Sequence, residues 1–224
     1  MHLPEAAKRL EDFERGALTS RLATLEATFC GLGGARCSSR CESDGIDSTL
    51  LQALLELKRV SGQINVSIHA VGVLLSLSAI LKPHELVESL SLGAGNTGRS
   101  FDLVTNGRIA EFKFIRWRGG AESIRQNAIF KDFYGLAEAR VKKEKHLYVL
   151  GLEHPLRFFS GGRSLTSVMS RNSKLLAAFR TKYGKRFLTV REYFRHRKHA
   201  VHIVDLLPIV PILSKLPSVD GLAV

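Results

Sequence analysis

Asp102, Glu111 and Lys113 lie in one run of fourteen residues, Phe101-Asp-Leu-Val-Thr-Asn-Gly-Arg-Ile-Ala-Glu-Phe-Lys-Phe114, of which ten carry no charge. Asn106-Gly107 is the dipeptide favoured in a two-residue type I′ hairpin turn, where both central residues need positive φ. With Thr105 facing Arg108, Val104 falls opposite Ile109, Leu103 opposite Ala110, and Asp102 opposite Glu111, with Cβ atoms about 5 Å apart. Lys113, two residues on, shares their face. At that distance two carboxylates repel by roughly 3 kcal/mol at an effective dielectric near 20. A divalent cation would offset the repulsion, and Mg²⁺ favours one or two carboxylates with water and phosphate oxygens completing its shell. The plainer alternative is a solvated strand pair with Lys113 neutralising two surface acids. If the repulsion is real, Asp102→Asn should stabilise the metal-free fold. Phe101, Leu103, Ala110, Phe112 and Phe114 fall on the opposite face as a packing surface.

The elements that must hold this hairpin are legible on either side. Glu85 to Leu92 reads as a strand, followed by the turn-rich Gly93-Ala-Gly-Asn-Thr-Gly98, which lacks the lysine of a phosphate-binding P-loop. Glu122 to Lys145 carries the apolar recurrence of an amphipathic helix at Ile124, Ala128, Ile129, Phe133, Leu136, Ala137 and Val141. His146 to Leu152 is a compact apolar run suited to a buried strand. Ile64 to Leu81 reads as a helix preceding the sheet.

At these residues the chain resembles the PD-(D/E)XK nuclease superfamily. Asp102 matches its first acid and Glu111-Phe112-Lys113 its (D/E)XK triplet. The resemblance implies an α/β restriction-endonuclease-like core, a mixed central sheet of four to five strands flanked by helices, in the order strand, strand, strand, helix, strand. It further implies that Asp102 and Glu111, with the Phe112 carbonyl, hold Mg²⁺ or Mn²⁺, and that Lys113 positions or activates the attacking water. The expected activity is metal-dependent hydrolysis of phosphodiester bonds, in DNA because most of that superfamily acts on DNA. Two rivals are a non-cleaving nucleic-acid-binding subunit of a defence, repair or transposition complex and an RNA-directed nuclease or toxin.

The chain departs from the family pattern in several places. Phe101 stands where the eponymous proline would be. Some members carry a further acid on the helix before the sheet, whereas Ile64 to Leu81 offers only Asn65 and His69. Glu88, or failing that Glu85, could substitute from the first strand as a metal or water ligand. Gln126-Asn-Ala-Ile-Phe130 is similar to the QxxxY motif of the exonuclease-like branch, with Phe for Tyr. Gln126 is thereby a candidate to orient water or Lys113, with a solvent-facing role as the alternative.

A net charge of +12, from 33 basic and 21 acidic residues, points to a polyanionic partner. Residues 1 to 62 hold 8 basic and 9 acidic residues, whereas 171 to 202 hold 10 basic residues and only Glu192. Arg195, Arg197 and Lys198 are therefore candidate phosphate contacts. The interleaved Phe179, Tyr183, Phe187, Tyr193 and Phe194 either stack on bases or anchor the segment to the core. Arg116, Trp117 and Arg118, just past the Lys113 strand, are placed to touch substrate, with a hydrophobic lid as the alternative for Trp117.

Residues 1 to 62 read as a helical extension and 63 to 224 as the core domain with a basic C-terminal elaboration. Leu10, Phe13, Ala17, Leu18, Leu22 and Leu25 recur at helical spacing, and Ser48 is placed to cap a second helix through Leu57. Cys30, Cys37 and Cys41 match no common zinc spacing and read as reduced thiols. Met1 to Ser20 lacks the layout of a signal peptide, so a cytoplasmic location is expected. Ile64 to Leu81 is near the lower length limit for a bilayer span, but its polar residues favour a buried core helix and no membrane partner. That helix and Leu206 to Leu213 could alternatively form a homodimer or partner-protein face.

Overall fold

Helical periodicity in the N-terminal quarter yields α1 (Leu3–Glu14), α2 (Leu18–Phe29), α3 (Gly34–Ser43) and α4 (Ser48–Ile80). The computed structural model describes residues 2–14, 18–30, 32–92, 100–114, 117 and 122–215. These divide into two compact units, Met1–Asn65 and Val66–Val224. The division falls inside α4 rather than at 62/63. Asp47, not Ser48, caps that helix, since the Leu50 N–H donates to Asp47 Oδ1 at 2.7 Å.

The two helices expected on either side of residues 58 to 63 are one helix of 33 residues. Ser61-Gly62 does not break it, because a mid-helix glycine costs only about 1 kcal/mol relative to alanine. By length and composition α4 could cross a membrane, with a mean hydropathy of 1.6 over its most apolar stretch, and only 18% of that stretch is buried. This corrects the expected buried core helix. In the second unit only one stripe is buried, through Val73, Ser76 and Ile80, while Val71, Leu74 and Leu75 are exposed. Gly72 lets that stripe approach the sheet, for a Cβ there would overlap the Phe114 ring.

The second unit is α/β, with a five-stranded mixed sheet: β1 (Val87–Leu90), β2 (Leu103–Thr105), β3 (Arg108–Lys113), β4 (Glu144–Val149) and β5 (His202–Asp205), adjacent in that order. The first three strands pair antiparallel, and β3, β4 and β5 pair parallel. Parallel neighbours need a crossover. α5 (Ser123–Glu138) supplies the one between β3 and β4, and α6 (Glu153–Phe159), α7 (Leu165–Met169), α8 (Ser173–Tyr183) and α9 (Val190–Arg197) lie between β4 and β5. α5 ends at Glu138, short of the expected Lys145, so Val141 is not on it and is exposed.

The hairpin register is the expected one, Leu103 opposite Ala110 and Val104 opposite Ile109. The turn is not type I′. Among the described residues His84 alone of the non-glycines has positive φ, and Gly107 is not among the glycines that do. Side chains set the turn instead. Thr105 Oγ1 accepts from the Gly107 and Arg108 amides at 3.1 and 2.8 Å. The Asn106 side chain accepts from Leu86 N and donates to His84 O, tying the turn to the approach to β1.

The sheet has a core on each face. Leu103, Ala110, Phe112, Phe114 and Tyr148 pack with Val73 of α4 and Leu206, Val210 and Leu213 on one side. Ile109, Leu147 and Val149 pack with Ile129, Phe130 and Phe133 of α5 and with Phe159, Phe179 and Tyr193 on the other. Phe101 packs against this second core, not the first, because the chain has left the ladder before Leu103. Leu206 to Leu213 contributes three core side chains, while Ile212 stays exposed.

Candidate metal centre

Glu111 and Lys113 share one face of β3 because side chains alternate along a strand. Asp102 reaches them from just outside β2. Its carbonyl accepts from Ser91 N at 2.8 Å, and its carboxylate accepts from the Phe112 N–H at 2.9 Å through Oδ2. From α4, His69 Nε2 comes within 3.5 Å of Asp102 Oδ1, its ring edge-on to Phe114. From α5, Asp132 Oδ2 lies 2.5 Å from Lys113 Nζ. That contact is an ion pair without aligned hydrogen-bond geometry, since Oδ2 has no hydrogen-bond partner among the described residues. Three carboxylates and one lysine thus converge with one histidine.

The electrostatics follow from crowding. Burial, then the charges of Asp132 and Asp102, push the Glu111 carboxyl up to about 9. Burial also pushes Asp132 up, against the opposing pull of Lys113. Asp102 moves the other way: burial opposes ionisation, but hydrogen bonds from His69 and the Phe112 amide, with the Lys113 charge, hold it below its ordinary value. Burial would lower Lys113, yet its ion pair with Asp132 and the other two carboxyls raise it. The site therefore keeps its lysine charged, while burial and mutual repulsion make the Glu111 and Asp132 carboxyls hold a proton above the ordinary carboxylate range.

This donor set fits a hard divalent cation. Its three carboxylates supply hard oxygen donors, and they are crowded enough that a proton is retained without a dication. Among the described residues no three His, Cys, Asp or Glu side chains form a ready-made shell. A cation here would need water and phosphate oxygens to complete its shell, with the Asp102–Glu111 pair and the Phe112 carbonyl as the candidate protein donors.

A pH dependence follows from Glu111. Its folded pKa lies above the ordinary 4.5, so the folded chain binds the extra proton between 4.5 and about 9. Stability from this group is complete below 4.5 and is lost as pH rises towards 9. Melting in EDTA from pH 5 to pH 9 is expected to show a steeper fall for the wild type than for Glu111→Gln. Parallel curves would contradict the assignment.

Other sequence candidates lie elsewhere. Glu88 is exposed and pairs with Lys143 at 2.6 Å, beside the Thr105 carbonyl, so the sheet does not bring it to Asp102. Glu85 forms a buried ion pair with Arg108 at 2.5 Å. Despite burial, hydrogen bonds from Arg108, the Lys82 amide and Thr105 hold Glu85 at about 2. Gln126 Oε1 accepts from Arg163 Nη1 and is not in contact with Lys113. Arg116, Arg118 and the Gly93–Gly98 turn lie outside the described residues; Trp117 packs on Phe158 at 5.8 Å between ring centroids.

On the basic segment, Arg195 and Lys198 are exposed, whereas Arg197 is not a free cation. Its guanidinium donates to Glu138 at 2.9 and 3.0 Å, together with Tyr183 and Tyr193 hydroxyls and Lys182. That carboxylate is held at about 2 despite burial. Phe179 and Tyr193 are buried, and Tyr183, Phe187 and Phe194 pack on them, so these aromatics anchor the segment rather than present rings to bases.

Sequence reasoning missed Asp132 altogether, and noted His69 without a role. Asp132 stands four residues after Ala128 and four before Leu136, a charge inside an apolar stripe, which was a readable signal. No family model matches this chain, and neither curated proteins nor solved structures yield a match.

Proposed function

We propose that the chain is a metal-dependent phosphodiesterase with a PD-(D/E)XK-type site on a restriction-endonuclease-like core, cutting nucleic acid and, by analogy with that superfamily, DNA. The observation that carries the reading is the meeting of Asp102, Glu111 and Lys113 on one face of β3 and its neighbour, where burial and then the neighbouring acids raise the Glu111 carboxyl. The run of helix, three antiparallel strands, helix and parallel strand supports it.

Asp102 and Glu111, with the Phe112 carbonyl, would hold Mg²⁺ or Mn²⁺. When bound, the cation supplies polarisation of the scissile phosphate and acidification of a water. Glu111 gives up its proton as the site fills. Asp102 is already ionised and is fixed by the Phe112 N–H and His69. Lys113 donates hydrogen bonds that orient the attacking water and stabilise the negative charge growing on the phosphoryl oxygens. Asp132 keeps that lysine charged and aimed into the site.

Incubation of the full chain with Mg²⁺ or Mn²⁺ and plasmid, linear duplex, single-stranded DNA or RNA tests the proposal. Cleavage abolished by EDTA and by Asp102→Ala is expected. Metal-independent cleavage, or cleavage that survives Asp102→Ala, would contradict it.

Affinity should come from the exposed cations of residues 171 to 202. Arg195→Ser with Lys198→Ser is expected to weaken binding to all sequences alike and to reduce the salt slope by up to about 2 units on duplex. Single-turnover cleavage at saturating enzyme should stay near wild type. Arg197 is excluded from this variant because its guanidinium is engaged by Glu138 in the folded chain. An unchanged slope would assign these cations to another surface.

A further inference from the structure

Beyond the triad, a cavity of about 270 Å³ opens beside the end of β3, lined by Trp117, Gln126, His154, Arg157, Phe158 and Arg163. Its chemistry differs from that of the carboxylate cluster. Trp117 and His154 present two rings with centroids 6.5 Å apart, and Phe158 backs the indole at 5.8 Å. The Trp117 Nε1–H is out of solvent and has no hydrogen-bond partner among the described residues. A buried donor left so is destabilising, and a ligand acceptor that reaches it would satisfy it. Gln126, pinned through Oε1 by Arg163, carries an amide of the type that reads base edges. Arg157 is exposed and, among the described residues, pairs with exposed Glu153, in reach of solvent and a phosphate.

We infer that this cavity receives one unstacked nucleobase of the bound strand, with the indole as its stacking surface, the imidazole tilted 35° beside it and the two arginines flanking the backbone. The inference rests on the nuclease reading for the identity of the strand. It adds that the substrate is single-stranded, frayed or locally opened at this point, because a base inside a duplex cannot enter a pocket of this size. Gln126 and Asp132 are six residues apart on α5, about 9 Å along the helix axis, so the pocket and the acids are within one short stretch of strand. An apolar small molecule is disfavoured by the cationic rim. A free nucleotide shares the base chemistry and is separated from a strand by the test.

Trp117 is the single tryptophan of the chain, so its emission reports this pocket alone. The full-length protein is titrated in EDTA with single-stranded oligonucleotides of about ten residues, thymine- or uracil-bearing, and with abasic strands of equal charge. The base-bearing strands are expected to quench Trp117 and to bind about tenfold more tightly than the abasic ones. With a dye-labelled strand, Trp117→Leu should abolish that preference and Trp117→Phe should retain part of it. Equal affinity for abasic strands with unchanged emission would overturn the inference, as would a mononucleotide that binds as tightly as the strand. Because the readout needs no metal and no cleavage, base-dependent quenching in a protein that never cuts would sink the nuclease reading and leave the pocket standing. Cleavage without base preference would do the reverse.

Discussion

Glu111→Gln is expected to reduce metal-dependent strand cleavage by about a thousandfold while raising the melting temperature of the metal-free protein. Both effects have one cause. The carboxyl is crowded by Asp132 and Asp102 in a buried setting and stays protonated up to about 9. A neutral amide of nearly the same shape removes the cost of ionising it and also removes a metal donor. The gain in melting temperature should grow with pH and vanish below pH 4.5, where the native carboxyl is protonated in both folded and unfolded chains. A variant that lost activity and stability together would place Glu111 in the structural framework instead.

Asp102→Asn is expected to behave differently, against the simplest reading of the hairpin. Repulsion across the strands suggested that neutralising Asp102 would stabilise the fold. The geometry distributes the cost unequally: Asp102 accepts from the Phe112 amide and faces His69, and those contacts hold its carboxylate ionised. Asp102→Asn should therefore lose metal-free stability where Glu111→Gln gains it.

The second large effect is expected at Asp132, which stands outside the proposed donor pair and is ion-paired to Lys113. Asp132→Asn should slow cleavage about tenfold to a hundredfold by letting the ammonium lose its charge and its aim. The diagnostic readout is the pH profile. Lys113 is raised chiefly by Asp132 against burial, so its alkaline limb should move to lower pH in the variant. Asp132→Glu should restore part of the rate and the limb. A purely structural role would lower the melting temperature and leave the limb where it was.

What the sequence made legible follows from periodicity. The two-residue alternation of the hairpin fixed Leu103 against Ala110 and put Glu111 and Lys113 on one face, whatever the turn chose to do. The turn itself was misread because Thr105 and Asn106 engage it through side-chain hydrogen bonds reaching to residues 84 to 86, which local dipeptide preference does not encode. Phe101 was misplaced for a related reason, since extending the alternation past the end of β2 assumes a ladder that has already stopped. Arg197 read as a phosphate contact because nothing local reveals Glu138, 59 residues away in the chain. The same limit applies to Glu88 and Lys143, paired across 55 residues. Asp132 was different: its position in the apolar stripe of α5 was visible, and only its partner was not.

The decisive measurement is a Mn²⁺ soak of crystals of the full chain, with the ion located by its anomalous scattering. A peak bound by the Asp102 and Glu111 carboxylates and the Phe112 carbonyl is expected, as is its loss in Asp102→Ala. Ordered Mn²⁺ elsewhere with these two carboxylates empty, or the two carboxylates on opposite faces of the sheet, would contradict it.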